Sequence, residues 1–243
     1  MKNMLKNFFL TGALLLVAST VYAEENVALN TKSSTLDTYD TYDTSTNIAL
    51  GARISTLGAG PELSLGLSDF WSIRAAAHWG SYSVDGDTDN IEYEYDLSLA
   101  SGLVTLEWNV FAGGFHVDAG LLFNSNSLDA VGQATDGTFT INGINYTPNQ
   151  VGTLNGEVDF DSVAPYLGIG WGNPVATNTT WTFFFNLGVV FQGSPDVTLS
   201  TNGLLSNNAI FLDNLKEEEK KLQDELDQFE YYPVVALGLT YKF

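Results

Sequence analysis

The chain has no cysteine among its 243 residues. This excludes a disulfide-stapled scaffold, a thiolate metal site and the N-terminal cysteine on which a lipoprotein carries its lipid. Basic residues are scarce: 9 Lys+Arg stand against 29 Asp+Glu, a formal net charge of −20. Nucleic-acid binding needs a basic footprint, so that class falls as well. Charged residues make up only 16% of the chain and hydrophobic ones 44%, which excludes disorder over most of its length. Histidine occurs only at His78 and His116, so histidine chemistry has two candidates. Beyond the N-terminal segment no stretch is apolar for ~18 residues, and no membrane-spanning helix is expected. What remains is a Gly-rich, aromatic-rich, Lys-poor composition that favours strands over helices.

Residues 1–23 read as a secretory signal peptide. Lys2 and Lys6 form its positive start, residues 8–18 its apolar stretch, and Val21 and Ala23 the small residues before cleavage at Glu24. Residues 24–45 read as a flexible periplasmic arm, including the short repeat at 37–43.

From residue 46 to 243 the pattern has period two. In 181–191, Trp181, Phe183, Phe185, Leu187, Val189 and Phe191 alternate with Thr182, Phe184, Asn186, Gly188 and Val190. The same alternation runs through 71–82, 115–124 and 231–243. Side chains alternate across a strand, so each segment has one bulky oily face and one small, polar or charged face. The small face cannot fill a hydrophobic core. Turning the bulky face into lipid and closing the sheet on itself satisfies both the side chains and the backbone. The expected fold is therefore all-β, a transmembrane antiparallel up-and-down barrel. Its eight strands fall near 46–56, 58–67, 71–84, 91–108, 113–126, 156–172, 180–199 and 230–243. The apolar phase changes at residues 57–61, which fits either a hairpin or one bulged strand. Similar changes at Ser101-Gly102 and Asp161-Ser162 read as bulges.

Connections at 68–70, 109–113 and 173–179 are short and are expected in the periplasm; those at 85–90, 127–155 and 200–229 are expected outside. Trp71, Trp108, Trp171 and Trp181 flank the short turns and form a candidate periplasmic aromatic girdle. Tyr82, Tyr93, Tyr95 and Tyr231 are its expected outer counterpart. Tyr241 and Phe243 end the last strand in the pattern that the barrel assembly machinery of a Gram-negative outer membrane recognises. Residues 213–228 break the β pattern: Leu215, Leu222, Leu226 and Phe229 recur at helical spacing. A short helix in the last outer loop follows, placed as a lid over the barrel mouth or as a face for a partner.

Residues 55–63 (STLGAGPEL), 106–108 (LEW), 113–120 (GGFHVDAG), 163–173 (VAPYLGIGWGN), 187–195 (LGVVFQGSP) and 232–243 (YPVVALGLTYKF) together resemble a broad group of uncharacterised proteobacterial outer-membrane β-barrel proteins. The architecture is similar to OmpW-like and OmpA-type small barrels. The resemblance implies a location and a fold, and no reaction. Members of that group often carry Arg where this chain has His116.

Glu62, Arg74, Glu107, His116 and Asp118 are expected inside the barrel near its periplasmic end, as a polar core that pairs its charges. A gate and a His116–Asp118 catalytic pair are the alternatives, the latter with no serine nucleophile in evidence. The inward column Ala164, Gly168, Gly170, Gly188, Ala236 and Gly238 leaves either a thin channel or room for Tyr166, Phe184, Gln192 and Tyr232. The carboxylates of 85–96 match a calcium loop poorly, since Asn90 stands where glycine is required. No enzyme activity, cofactor or metal is expected. The expected partners are membrane lipid and lipopolysaccharide as solvent, with a small solute or a surface partner as the open choice.

Overall fold

The structure is a computed structural model that describes residues 47–88, 91–134, 137–176 and 179–243. The leader, the arm and its repeat lie outside the described residues. The strands are β1 (Ile48–Ser55), β2 (Gly58–Gly66), β3 (Trp71–Thr88), β4 (Ile91–Asn109), β5 (Phe115–Asn124), β6 (Ser127–Ala134), β7 (Phe139–Ile141) and β8 (Ile144–Tyr146). They continue as β9 (Leu154–Asp159), β10 (Val163–Trp171), β11 (Trp181–Phe191), β12 (Asp196–Thr201) and β13 (Tyr231–Lys242). A one-turn helix α1 (Pro148–Val151) and a long helix α2 (Ala209–Leu226) complete the elements used below.

Among the described residues eight strands close a ring in the order β4-β3-β2-β1-β13-β11-β10-β5, and β5 pairs back onto β4. Closure leaves no strand edge open in the wall, the condition for placing a sheet in hydrocarbon. The bulky residues face out: Trp79, Leu106, Leu121, Leu167, Ile169, Phe183 and Leu237 are all exposed. The alternate residues face in and are buried along β5, β10 and β11. The phase change at residues 57–61 is a hairpin, with β1 and β2 paired from Ile48–Leu65 to Ser55–Gly58. Gly58 makes the turn at φ +113°, a backbone conformation other residues resist.

At Ser101-Gly102 there is no bulge. β3 and β4 stay in register from Trp71–Trp108 to Thr88–Ile91. What changes is the solvent on each face. Below this point β4 turns Val104, Leu106 and Trp108 outward and Thr105, Glu107 and Asn109 inward. Above it, Glu92, Glu94 and Ser98 point out, and Ile91, Tyr93, Tyr95 and Leu99 point in. One strand thus passes from an oil-facing wall into a water-soluble sheet, inverting the polarity of both faces. The change at Asp161-Ser162 has a different cause: the chain leaves β9 and starts β10 as a separate strand.

The upper halves of β3 and β4 continue through β6, β9 and β12 into an open sheet beyond the barrel. The 127–155 segment therefore carries strands and a helical turn where a loop was expected, while 200–229 holds the expected helix. β6 extends the line of β5 after a break that Asn126 patches by accepting the Ala100 N–H. This cap has its own apolar core, with Tyr93, Tyr95, Leu128, Phe139, Val151, Val158 and Leu199 packed against Phe211, Leu215, Leu222 and Leu226 of α2. Tyr93 (7% exposed) and Tyr95 (2%) thus belong to the cap core and not to an outer girdle. Only Tyr82 and Tyr231 of that expected set are exposed.

Helix α2 starts four residues before the expected position. Asn208 caps it, its side chain accepting the Ile210 and Phe211 N–H groups. The helix lies on the free side of β12, where Gln223 accepts the Val197 N–H and Glu219 the Leu199 N–H. Residues four apart on a helix match residues two apart on a strand, so one helix face covers one strand edge.

Candidate functional site

The barrel interior is layered. At the short-turn end, Val175 and its turn sit under the mouth, where the Lys242 ammonium donates to the Val175 and Ala176 carbonyls. Above this floor is a layer of charge. Arg74 Nε lies 2.9 Å from Glu107 Oε1 and 3.4 Å from Glu62 Oε1. Its other nitrogens donate to Glu107 Oε2 at 3.1 Å and to Asn186 Oδ1 at 3.0 Å. Arg53 adds a second bridge to Glu62 at 3.2 Å. Ser72 donates to Glu107 Oε2, and Asn109 donates to Ser72. A planar fork of five donors serves this many acceptors as a lysine could not. The Phe184 ring lies under both guanidinium groups, 4.5 Å from Arg74 and 5.5 Å from Arg53.

All five expected network residues are brought together here: Glu62, Arg74, Glu107, His116 and Asp118. The sequence reasoning left out Arg53 and Asn186, although strand parity turns both inward. None of these seven side chains is more than 2% exposed. Water therefore has almost no access to them, and the lumen is shut at this level.

The glycine column holds no channel. A side chain at Gly168 or Gly188 would strike the Tyr166 hydroxyl, and one at Gly238 would strike the Phe184 ring. At Gly170 it would strike His116 and Asn186. The glycines are the sockets into which these larger side chains fit. Toward the loop end an apolar layer follows, made of Leu57, Leu103, Leu122, Tyr166, Val190 and Val234. Leu57 enters it because the β1–β2 turn folds inward, where the Tyr232 hydroxyl donates to the Thr56 carbonyl at 2.6 Å.

Both histidines are fully buried. Ser101 Oγ lies 3.5 Å from His78 Nδ1, but His78 Nε2 has no hydrogen-bond partner. Among the described residues His78 is therefore without the orienting carboxylate of a triad. Asp85 lies within β3 opposite Glu94, so residues 85–88 and 91–96 are paired strand instead of an ion-wrapping loop.

Trp71, Trp108, Trp171 and Trp181 are exposed, and all lie at the short-turn end. Trp71 and Trp108 are directly paired. Trp181 packs edge-on against Tyr241, and Tyr241 against Phe243. In the cap, outside the barrel wall, burial and the neighbouring Tyr93 push the Tyr95 phenol up to about 12.

Two solved structures share this fold. The crystal structure of Acinetobacter baumannii CarO2 has a TM-score of 0.55 at 21% identity, covering 81% of this chain and 98% of that one. Acinetobacter baumannii CarO has a TM-score of 0.53 at 22% identity, covering 80% and 97%. At that identity the likeness is one of fold. No family model and no curated protein matches the chain.

Proposed function

We propose that this chain is an integral outer-membrane barrel whose closed wall anchors a folded cap at the surface of a Gram-negative cell. Its role is structural or contact-making and does not include an open pore. The observation that carries the reading is the shut lumen: a charge layer and an apolar layer stacked in series, with Arg74, Glu107 and His116 buried. The membrane placement is supported by the outward apolar band between two aromatic ends. From Trp71 to Trp79 a strand tilted ~40° climbs about 20 Å, close to the apolar height of such barrels. The Tyr241 and Phe243 ending supports assembly by the outer-membrane machinery.

A narrow solute path is the weaker reading. It requires Arg74 to leave three partners and the Leu57 layer to part. Purified protein in planar bilayers tests both readings: no conductance above the lipid baseline is expected, and a reproducible unit conductance would overturn the closed-barrel reading. Sidedness has its own test. Lys216 and Lys220 are exposed on α2, so a membrane-impermeant amine reagent should label them on intact cells. Absence of labelling would place the cap on the wrong side.

A further inference from the structure

Glu107 and Asp118 are directly opposite each other across the β4–β5 pair, and both are buried inside the barrel. Like charges so placed repel, and burial removes the water that would screen them. Glu107 has Arg74. Among the described residues no Lys, Arg or His nitrogen forms an ion pair with Asp118. The layer holds two guanidinium groups, Arg53 and Arg74, against three carboxylates, Glu62, Glu107 and Asp118.

His116 does not supply the missing charge. Arginine can only donate, so Asn186 must turn Oδ1 to Arg74 and its NH2 to His116. His116 Nε2, 2.8 Å from that NH2, is therefore an acceptor, and the ring is neutral, with an Nε2 lone pair that becomes available to an ion when the Asn186 amide turns away. This is the form of imidazole that binds a metal.

One donor atom from each of Glu107, His116 and Asp118 lies within 4.8 Å of the other two. His116 Nε2 is 3.9 Å from Glu107 Oε1. Ligands about 2.1 Å from one tetrahedral ion stand ~3.4 Å apart, so a contraction of up to ~1.4 Å closes the set. Asp118 Oδ1 has no hydrogen bond of normal geometry and lies over Gly168, beside the Tyr166 hydroxyl. We propose that Glu107, His116 and Asp118 bind one divalent first-row transition ion of the Zn2+ class inside the barrel. An imidazole with two carboxylates suits such an ion better than Mg2+ or Ca2+, which take oxygen ligands. The ion supplies the positive charge that Asp118 lacks. Because the layer is shut, it enters as the barrel closes during folding and is then retained. The inference is independent of the surface role, since a silent barrel is expected with or without the ion.

The test folds the untagged full chain from urea into detergent micelles with ZnCl2 or with EDTA, followed by desalting and elemental analysis. Wild type folded with zinc should retain roughly one ion per chain. His116→Ala and Asp118→Asn should retain less than a tenth of that, and Glu92→Gln/Glu94→Gln on the exposed cap should match wild type. Thermal midpoints give a second readout that does not depend on any one variant folding well. Zinc present during folding should raise the wild-type midpoint and leave that of Asp118→Asn unchanged. Wild type without bound ion, or an ion content insensitive to His116 and Asp118, overturns the proposal. So does an Asp118→Asn variant more stable than wild type in both conditions, which would make Asp118 a bare repulsive charge or the carrier of a proton.

Discussion

Asn186 donates its side-chain amide to His116 Nε2 at 2.8 Å while accepting from Arg74 on its other side. It joins the cationic and imidazole halves of the interior layer. Replacing it with leucine leaves a buried donor and a buried acceptor unmatched. Asn186→Leu should lose about 2–4 kcal/mol of barrel stability, read from urea unfolding in lipid vesicles. A loss below about 0.5 kcal/mol would mean that water or a rearranged neighbour takes over both bonds.

Arg74 holds Glu62 and Glu107 together. Arg74→Met strands the buried Glu107 and leaves Glu62 with Arg53 alone, and should cost about 3–5 kcal/mol in the same measurement. Arg74→Lys should fall between Met and wild type, because an ammonium keeps the charge but cannot reach all the acceptors at once.

The barrel should hold when the cap fails. Phe211 is buried in the cap core and packs edge-on against Tyr146 at 4.9 Å between ring centres. Phe211→Ala should destabilise the cap by about 3–5 kcal/mol. Limited proteolysis of proteoliposomes should then cut residues 127–160 and 196–230 faster, while the heat-modifiable gel shift of the folded barrel stays unchanged. Loss of that shift would show that cap and barrel fold as one unit.

Alkali should loosen the cap before the wall. The Tyr95 phenol titrates near 12 when folded and near 10 when unfolded, so the native state holds its proton more tightly. Its contribution is complete below pH 10 and is lost as pH rises from 10 to 12. Tyr95→Phe should flatten that alkaline limb in near-UV circular dichroism, and an unaltered limb would remove Tyr95 as its source.

Gln223 and Glu219 cover the outer edge of β12. Glu219→Ala/Gln223→Ala should free two strand N–H groups and raise the self-associated fraction in light scattering. A variant as monodisperse as wild type would show that the bulk of α2 alone protects the edge.

The wall was legible because alternation is a property of single segments. Phe185 beside Asn186 reveals two faces wherever the strand lies. The cap was not legible, because it obeys the opposite rule: Tyr93 and Tyr95 point inward for the reason that Leu106 points outward, and composition alone does not mark where one solvent gives way to the other. β6 is short and interrupted by Gly132 and polar residues, so it reads as loop, while β9 and β12 read as ends of the longer strands at 156–172 and 180–199. The charge layer was legible in part. Strand parity placed Glu62 and Arg74, whereas the contact of His116 with Glu107 depends on the register between two strands. The state of the lumen was open for a similar reason: Gly188 looks like empty space until the neighbouring Tyr166 is seen to occupy it.

The inversion along β4 also fixes how deep the molecule floats. Were it to rise by one pair of residues, Val104 would meet water; were it to sink by two, Ser98 and Asp96 would enter hydrocarbon, where an acid on a barrel wall is penalised more with every step toward the midplane. Both displacements are opposed by the same strand. The waterline therefore falls at Ala100 and Gly102, the two small residues between the acidic and the oily stretch, and the cap is held at a set height above the membrane by a single continuous backbone.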